Sequence, residues 1–245
     1  METRHGKTEF LTTTRYIEKY LQKGNRILDI GAATGRYSHY FADLGYDVDA
    51  IELLEHNIEI FKQNIKKGNN ITIAQGDARD LKAFADNAYD ITLLFGPLYH
   101  LYTTEDKLQA ISEAIRTTKP GGKIFAAYCM ADASILTYGF VGGGIHDLID
   151  KKLLDTVTFE THSNIWDIFE LHRKEDIDAL MANFKNVTRL HYVATDGYAI
   201  HMRGSMADWD DKTFDIFMDY HFATCERQDM VGITHHVLDV FQKDF

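Results

Sequence analysis

Five short runs of β-branched and large apolar residues alternate with stretches of helical spacing through the first half of the chain. That alternation confines it to a narrow set of folds. Arg26 to Ile30, Tyr46 to Glu52, Asn70 to Ala74, Tyr89 to Phe95 and Lys123 to Cys129 read as strands. Phe10 to Leu21, a stretch from about Arg36 to Leu44, Glu55 to Lys66 and Asp106 to Thr117 read as helices, with Gly45 as a C-cap. Strands and helices of these lengths imply right-handed βαβ units and a mostly parallel sheet covered on both faces, a doubly wound α/β fold.

The alternation then breaks. Residues from about Ala131 to His172 follow neither period and include Gly142-Gly143-Gly144. Lys174 to Phe184 is again helical, Val187 to Ala194 a strand, Gly204 to Met230 an aromatic-rich helical stretch, and His236 to Gln242 a closing strand. The organisation expected is one domain over residues 1–245, with helical or irregular lid insertions near 131–172 and 198–232. At 245 residues the chain has room for one large α/β domain.

Charge narrows the partners. Lys and Arg number 26 against 37 Asp and Glu, a net charge of −11. That balance argues against broad contact with a phosphate backbone. Two cysteines, Cys129 and Cys225, make no disulfide framework. The first residues carry no apolar signal segment, and no run is long enough to span a membrane, so a cytoplasmic location is expected. Glu52, His56, His100 and His146 lack metal-ligand spacing, and the adjacent His235 and His236 leave a strand on opposite faces, so no metal is expected.

Function concentrates in Ile27-Leu28-Asp29-Ile30-Gly31-Ala32-Ala33-Thr34-Gly35-Arg36. A buried strand enters a turn of small residues and a helix starts at once. Small side chains admit a ligand to the backbone, and the helix start offers N–H groups to an anionic group. Gly31 and Gly35 are four apart and Asp29 lies two before the first, which departs from the G-x-G-x-x-G dinucleotide spacing.

This acid-x-G-x-x-x-G turn resembles motif I of the class I S-adenosylmethionine-dependent methyltransferases, with Ala33 where that family usually has a third glycine. Glu52 at the end of the second strand, Asp77-Ala78 after the third, Tyr89-Asp90 opening the fourth and Lys119-Pro120-Gly121-Gly122 before the fifth follow in the family's order. The resemblance covers about residues 10–130. It implies a Rossmann-like seven-stranded sheet with the last strand antiparallel. It also implies S-adenosylmethionine as cofactor and S-adenosylhomocysteine as product. Gly31, Ala33 and Gly35 would cradle the methionine part, Glu52 would accept from the ribose hydroxyls, and Asp77 with the Ala78 N–H would meet the adenine; Asp29 also belongs to the cofactor-binding set. Phe95, leaving the fourth strand, belongs with the cofactor set.

Gly96-Pro97-Leu98-Tyr99 stands where amino-methylating DNA enzymes resemble one another in a D/N-P-P-Y/F motif, so the acceptor of an amine proton is missing. His100 is the candidate general base, since its unperturbed pKa lies near working pH. Tyr99, His100 and Arg203 are candidate contacts to the substrate. Arg227 is a second candidate anchor, and Arg15 or Tyr16 a candidate contact to the methionine carboxylate. Thr12 to Thr14 suit the start of an amphipathic helix.

The reaction implied is transfer of a methyl group to a small-molecule acceptor by in-line displacement. A methyltransferase acting on protein or RNA is a rival that an open basic groove would favour. A nicotinamide-dependent oxidoreductase shares such a sheet, but the glycine spacing, Asp29 and Asp77 count against it. A noncatalytic nucleoside-binding regulatory subunit needs no second pocket, and the two aromatic insertions count against that. The sequence carries no marker of oligomeric state.

Overall fold

The computed structural model describes residues 3–167 and 169–245. Helix α1 (Arg4–Glu18) precedes strand β1 (Arg26–Ile30), α2 (Arg36–Asp43), β2 (Asp47–Glu52), α3 (Glu55–Gln63), β3 (Ile71–Gln75), β4 (Tyr89–Leu94), α4 (Thr104–Thr117) and β5 (Thr118–Met130). Then come α5 (Ala131–Ser134), a π-helical stretch (Ile135–Val141), α6 (Ile145–Asp150), β6 (Leu171–His172), α7 (Lys174–Met181) and β7 (Val187–Ala194). The chain closes with α8 (Arg203–Met206), α9 (Asp211–Thr224) and β8 (His236–Lys243).

The strands lie in the order β3-β2-β1-β4-β5-β8-β7, with β6 paired to β5 off that path. Neighbours from β3 to β5 are parallel. β8 runs against β7: Thr195 N–H donates to the His236 carbonyl at one end and Asp244 N–H to the Asn186 carbonyl at the other. The continuous path thus has the seven strands and the antiparallel last strand expected. β6 adds an eighth, and two residues are too short to show alternation in sequence.

Three expectations shift. Strand β5 begins at Thr118, and the Pro120-Gly121-Gly122 segment lies inside it, accommodated by an irregularity in register between Tyr89 and Ile91. Helix α1 starts at Arg4 and ends at Glu18, six residues before the expected start at Phe10 and three before the expected end at Leu21. Thr12 and Thr14 are therefore buried in mid-helix rather than near its start. Their hydroxyls donate to the carbonyls of Thr8 and Phe10, the local bond that lets threonine sit inside a helix.

The chain divides into two compact units. One holds residues 17–127, 182–190 and 239–245, hence β1 to β4 and the glycine turn. Its core is built on Ile27, Leu28, Phe41, Phe61, Ile91, Leu93, Phe125 and Phe241, all essentially inaccessible. The other holds 1–16, 128–181 and 191–238, and so both expected insertions together with most of α1. In it Leu11 packs with Phe214, Phe217 and Met218, and the Arg4 guanidinium donates to Asp211 at 3.1 Å and to the Trp209 carbonyl at 2.7 Å. A second cluster joins Ile135, Leu148, Leu153 and Leu154.

Candidate functional site

β1 lies between β2 and β4, so the residue after Ile30 emerges beside both neighbours. Gly31 has φ +79° and its N–H donates to the Ile51 carbonyl at 2.9 Å. A Cβ there would lie 2.6 Å from Pro97 Cδ and 2.8 Å from the Phe95 carbonyl. The loop after β4 therefore demands this glycine by packing as well as by backbone angle. Gly35, φ +91°, caps α2, and a Cβ would strike Phe61 and His39. Ala33 takes φ +49°, a left-handed conformation costing an L-residue about 1 kcal/mol. The alanine thus keeps the backbone shape that a glycine would adopt freely. Ala33 and Thr34 are exposed.

The Ala33 N–H donates to Glu52 Oε2 at 2.9 Å. Glu52 Oε1 accepts from the Leu54 N–H at 3.0 Å and from Asn57 Nδ2 at 3.1 Å. Glu52 is only 7% exposed, and these donors use three of about four acceptor positions of a carboxylate. Leu53 and Leu54, which follow it, are each 58% exposed, apolar surface directly beside a buried acid.

Asp29 sits inside the sheet, between Ala50 and Leu93. Burial raises its pKa, the Ser38 hydroxyl donating at 2.6 Å opposes that, and the charge of Glu52 adds to it; the result is about 6. Its Oδ1 is buried without a hydrogen-bond partner among the described residues.

Asp77, after β3, accepts from Arg79 through both oxygens, at 2.6 Å from Nη2 and 3.0 Å from Nε. Arg79 also reaches Asp106 at the start of α4, at 2.9 Å. These bonds hold the Asp77 carboxyl below its usual range, although partial burial pushes the other way. The half-buried Ala78 lies between the two partners. Phe95, half-buried, meets Tyr37 edge-on at 4.9 Å. Pro97 opens a 3-10 turn through Tyr99. The Tyr99 and His100 rings are 5.1 Å apart. Burial pulls the His100 pKa down, with Glu52 opposing, so its imidazole is largely neutral at pH 7.

Asp29, Gly31, Ala33, Gly35, Glu52, Asp77, Ala78, Phe95, Tyr99 and His100 all belong to one compact unit. Arg203 does not: it opens α8 in the other unit and is exposed. Arg227 pairs with its neighbour Asp229 at 2.7 Å. Arg15 lies over the Phe222 ring, and the Tyr16 hydroxyl donates to Glu226 at 2.5 Å. Sequence reasoning missed Ser38, Asn57 and Arg79, which orient the acids. An Arg two residues after an Asp was visible, but no spacing rule ties such a pair to a site. Among the described residues no group of three His, Cys, Asp or Glu could hold a metal ion, and no helix is long and apolar enough to cross a membrane.

Residues 28–126 match the family described as "Methyltransferase domain". A demethylmenaquinone methyltransferase of Renibacterium salmoninarum is 38% identical over 105 residues, which are 42% of this chain and 41% of that one. A ubiquinone/menaquinone biosynthesis C-methyltransferase of Pseudomonas paraeruginosa is 28% identical over 195 residues, 75% of this chain and 73% of that one. The chain spans about two fifths of the length of the demethylmenaquinone methyltransferases it matches. The solved structure of an S-adenosylmethionine-dependent methyltransferase from Methanosarcina mazei superposes with a TM-score of 0.61 at 19% identity, covering 94% of this chain and 97% of that one. The fold is that of the class I S-adenosylmethionine-dependent methyltransferases, and the methyltransferase domain match lies on its first five strands.

Proposed function

We propose that the chain transfers a methyl group from S-adenosylmethionine to a small-molecule acceptor. The observation that carries this reading is the clasp between the motif turn and the second strand, in which the Ala33 N–H meets the buried carboxylate of Glu52. It ties the two parts that must hold one nucleoside together before any ligand arrives, the preorganisation that saves binding energy.

The residues present fit the cofactor. Glu52 keeps about one acceptor position for a ribose hydroxyl. The orphaned Oδ1 of Asp29 supplies buried negative character under the turn that takes the methionine part. Gly31, Ala33 and Gly35 border that part. Asp77 and the Ala78 N–H are the pair for the adenine edge, with Arg79 fixing the carboxylate. Leu53, Leu54 and Phe95 offer apolar surface for its ring. The bound cofactor supplies a methyl group already activated by its sulfonium. The protein must orient an acceptor in line and exclude water. The neutral His100 is suited to take a proton from the acceptor, and Tyr99 to pack against it.

The net charge of −11 disfavours a nucleic-acid acceptor. The two relatives above are named for quinone methylation. With them as guide, the acceptor is read as a small, partly apolar molecule, met in the cytoplasm. Calorimetry with S-adenosylmethionine, S-adenosylhomocysteine and NAD(H) tests the cofactor. The sulfur compounds should bind and NAD(H) should not. Glu52→Ala and Asp77→Ala should each weaken binding by at least about tenfold, the cost of one lost charge-assisted contact. Binding of NAD(H) alone, or of none of the three, would overturn the proposal.

A further inference from the structure

A second cluster of reactive side chains lies in the unit that does not hold the glycine turn. The Met130 N–H donates to the His235 carbonyl at 2.8 Å, which sets β5 against β8. In an antiparallel pair the next residues along, Cys129 and His236, stand opposite each other without backbone bonds. That is the closer kind of pair, with Cα atoms about 4.5 Å apart and side chains on one face. That register sets the Cys129 thiol beside the His236 imidazole, near enough for the two to interact.

The His236 ring is oriented from behind. Its Nδ1 lies 3.0 Å from Asp196 Oδ2. The other oxygen of Asp196 accepts from the Thr234 hydroxyl, from the His235 N–H at 2.8 Å and from the His236 N–H at 3.3 Å. A buried carboxylate with that many donors cannot swing. With Nδ1 committed to Asp196, Nε2 is the nitrogen left for the thiol. The His236 side chain is 42% exposed, so the array opens to solvent on its imidazole side, while Cys129 is 6% exposed at its edge.

We propose that Cys129, His236 and Asp196 form a second chemical site, a nucleophilic thiol that captures activated carbon electrophiles. The order thiol, imidazole, carboxylate is the arrangement by which an oriented base activates a nucleophile. Cys129 Sγ forms a bond to the electrophilic carbon as that carbon's bond to its leaving group breaks. The leaving group departs with the bonding pair, and the thiol proton passes to His236 Nε2. Asp196 stabilises the imidazolium that results. Partial loss of solvent opposes charge on His236, but its bond to Asp196 and the nearby Cys129 outweigh that and hold its pKa well above the ordinary imidazole value. The other titratable groups nearby are His235, whose ring centre is 6.1 Å from that of His236, and His221, which feels the Asp196 charge. The site stands independently of the methyl-transfer reading.

The test is alkylation of the full chain by iodoacetamide at pH 6.5, followed by mass spectrometry, with glutathione as reference. An ordinary thiol is only about 1% thiolate at that pH. Cys129 should react about tenfold faster than glutathione, because His236 takes up the thiol proton as the new bond forms. Cys225, fully buried, serves as internal control. His236→Asn and His236→Gln should slow Cys129 at least about tenfold, back to the ordinary thiol rate, with the circular dichroism spectrum unchanged. A Cys129 that reacts no faster than glutathione in the unmodified chain refutes the site whatever the variants do. So does a rate that survives both folded His236 variants.

Discussion

Replacing Glu52 by glutamine tests the clasp on which the cofactor reading rests. The carboxylate accepts from Ala33 N–H, Leu54 N–H and Asn57 Nδ2 at 2.9, 3.0 and 3.1 Å. A glutamine keeps one acceptor oxygen. Its better orientation places that oxygen toward Leu54 and Asn57, which leaves the amide NH2 facing the Ala33 N–H. One charge-assisted bond is lost and one backbone donor is left facing another donor. Together these cost about 3 kcal/mol. Ala33 also loses the bond that holds it at φ +49°. In urea unfolding, with a slope of about 3 kcal/mol/M, the midpoint should fall by about 1 M at constant slope. Asn57→Ala removes a side-chain donor without orphaning backbone and should cost only about 1 kcal/mol. If Glu52→Gln moves the midpoint by less than about 0.3 M, the clasp does not hold the turn and the reasoning fails.

Two further perturbations follow from the same physics. Gly31→Ala places a Cβ 2.6 Å from Pro97 Cδ at φ +79°, so it should destabilise by about 3 kcal/mol or more in urea unfolding. Ala33→Gly, which relieves a left-handed alanine, should instead stabilise by a few tenths to about 1 kcal/mol. The pH dependence separates the buried titrating groups. Burial lowers His221 from 6.5 to about 4, so the folded protein binds fewer protons there than the unfolded chain. Its share of stability is complete above pH 6.5 and is lost as pH falls toward 4, about 3 kcal/mol in all. Asp29, raised to about 6, acts in the opposite sense over an overlapping range. The difference between the unmodified chain and His221→Asn therefore isolates the histidine: unfolding free energies measured from pH 7 to 4 should show a gap that changes with pH in that window, and a constant gap would refute the assignment.

Hydrophobic period and turn chemistry act over a few residues, and so β1 through β4, the helices between them and the glycine turn were legible without coordinates. Burial of Ile27 and Leu28 on both sides of a parallel sheet needs just the apolar run that the sequence displays. The order Asp29, Gly31, Glu52, Asp77 is likewise local at each strand end. What the sequence did not contain was who meets whom. Glu52 holds Ala33 across 19 positions, and Ser38 holds Asp29 from the next helix. Thr12 reads as a helix-start residue until its burial and its bond to the Thr8 carbonyl are seen. The cysteine, histidine and aspartate of the second cluster lie on β5, β8 and the turn after β7, separated by 67 and 40 positions along the chain. No periodicity spans such gaps, because loop closure costs entropy that only long-range packing and sheet pairing repay. By itself the sequence determined the elements and the acids at their ends; the tertiary structure decided which side chains share a hydrogen bond, because pairing across distant strands is a property of the folded chain alone.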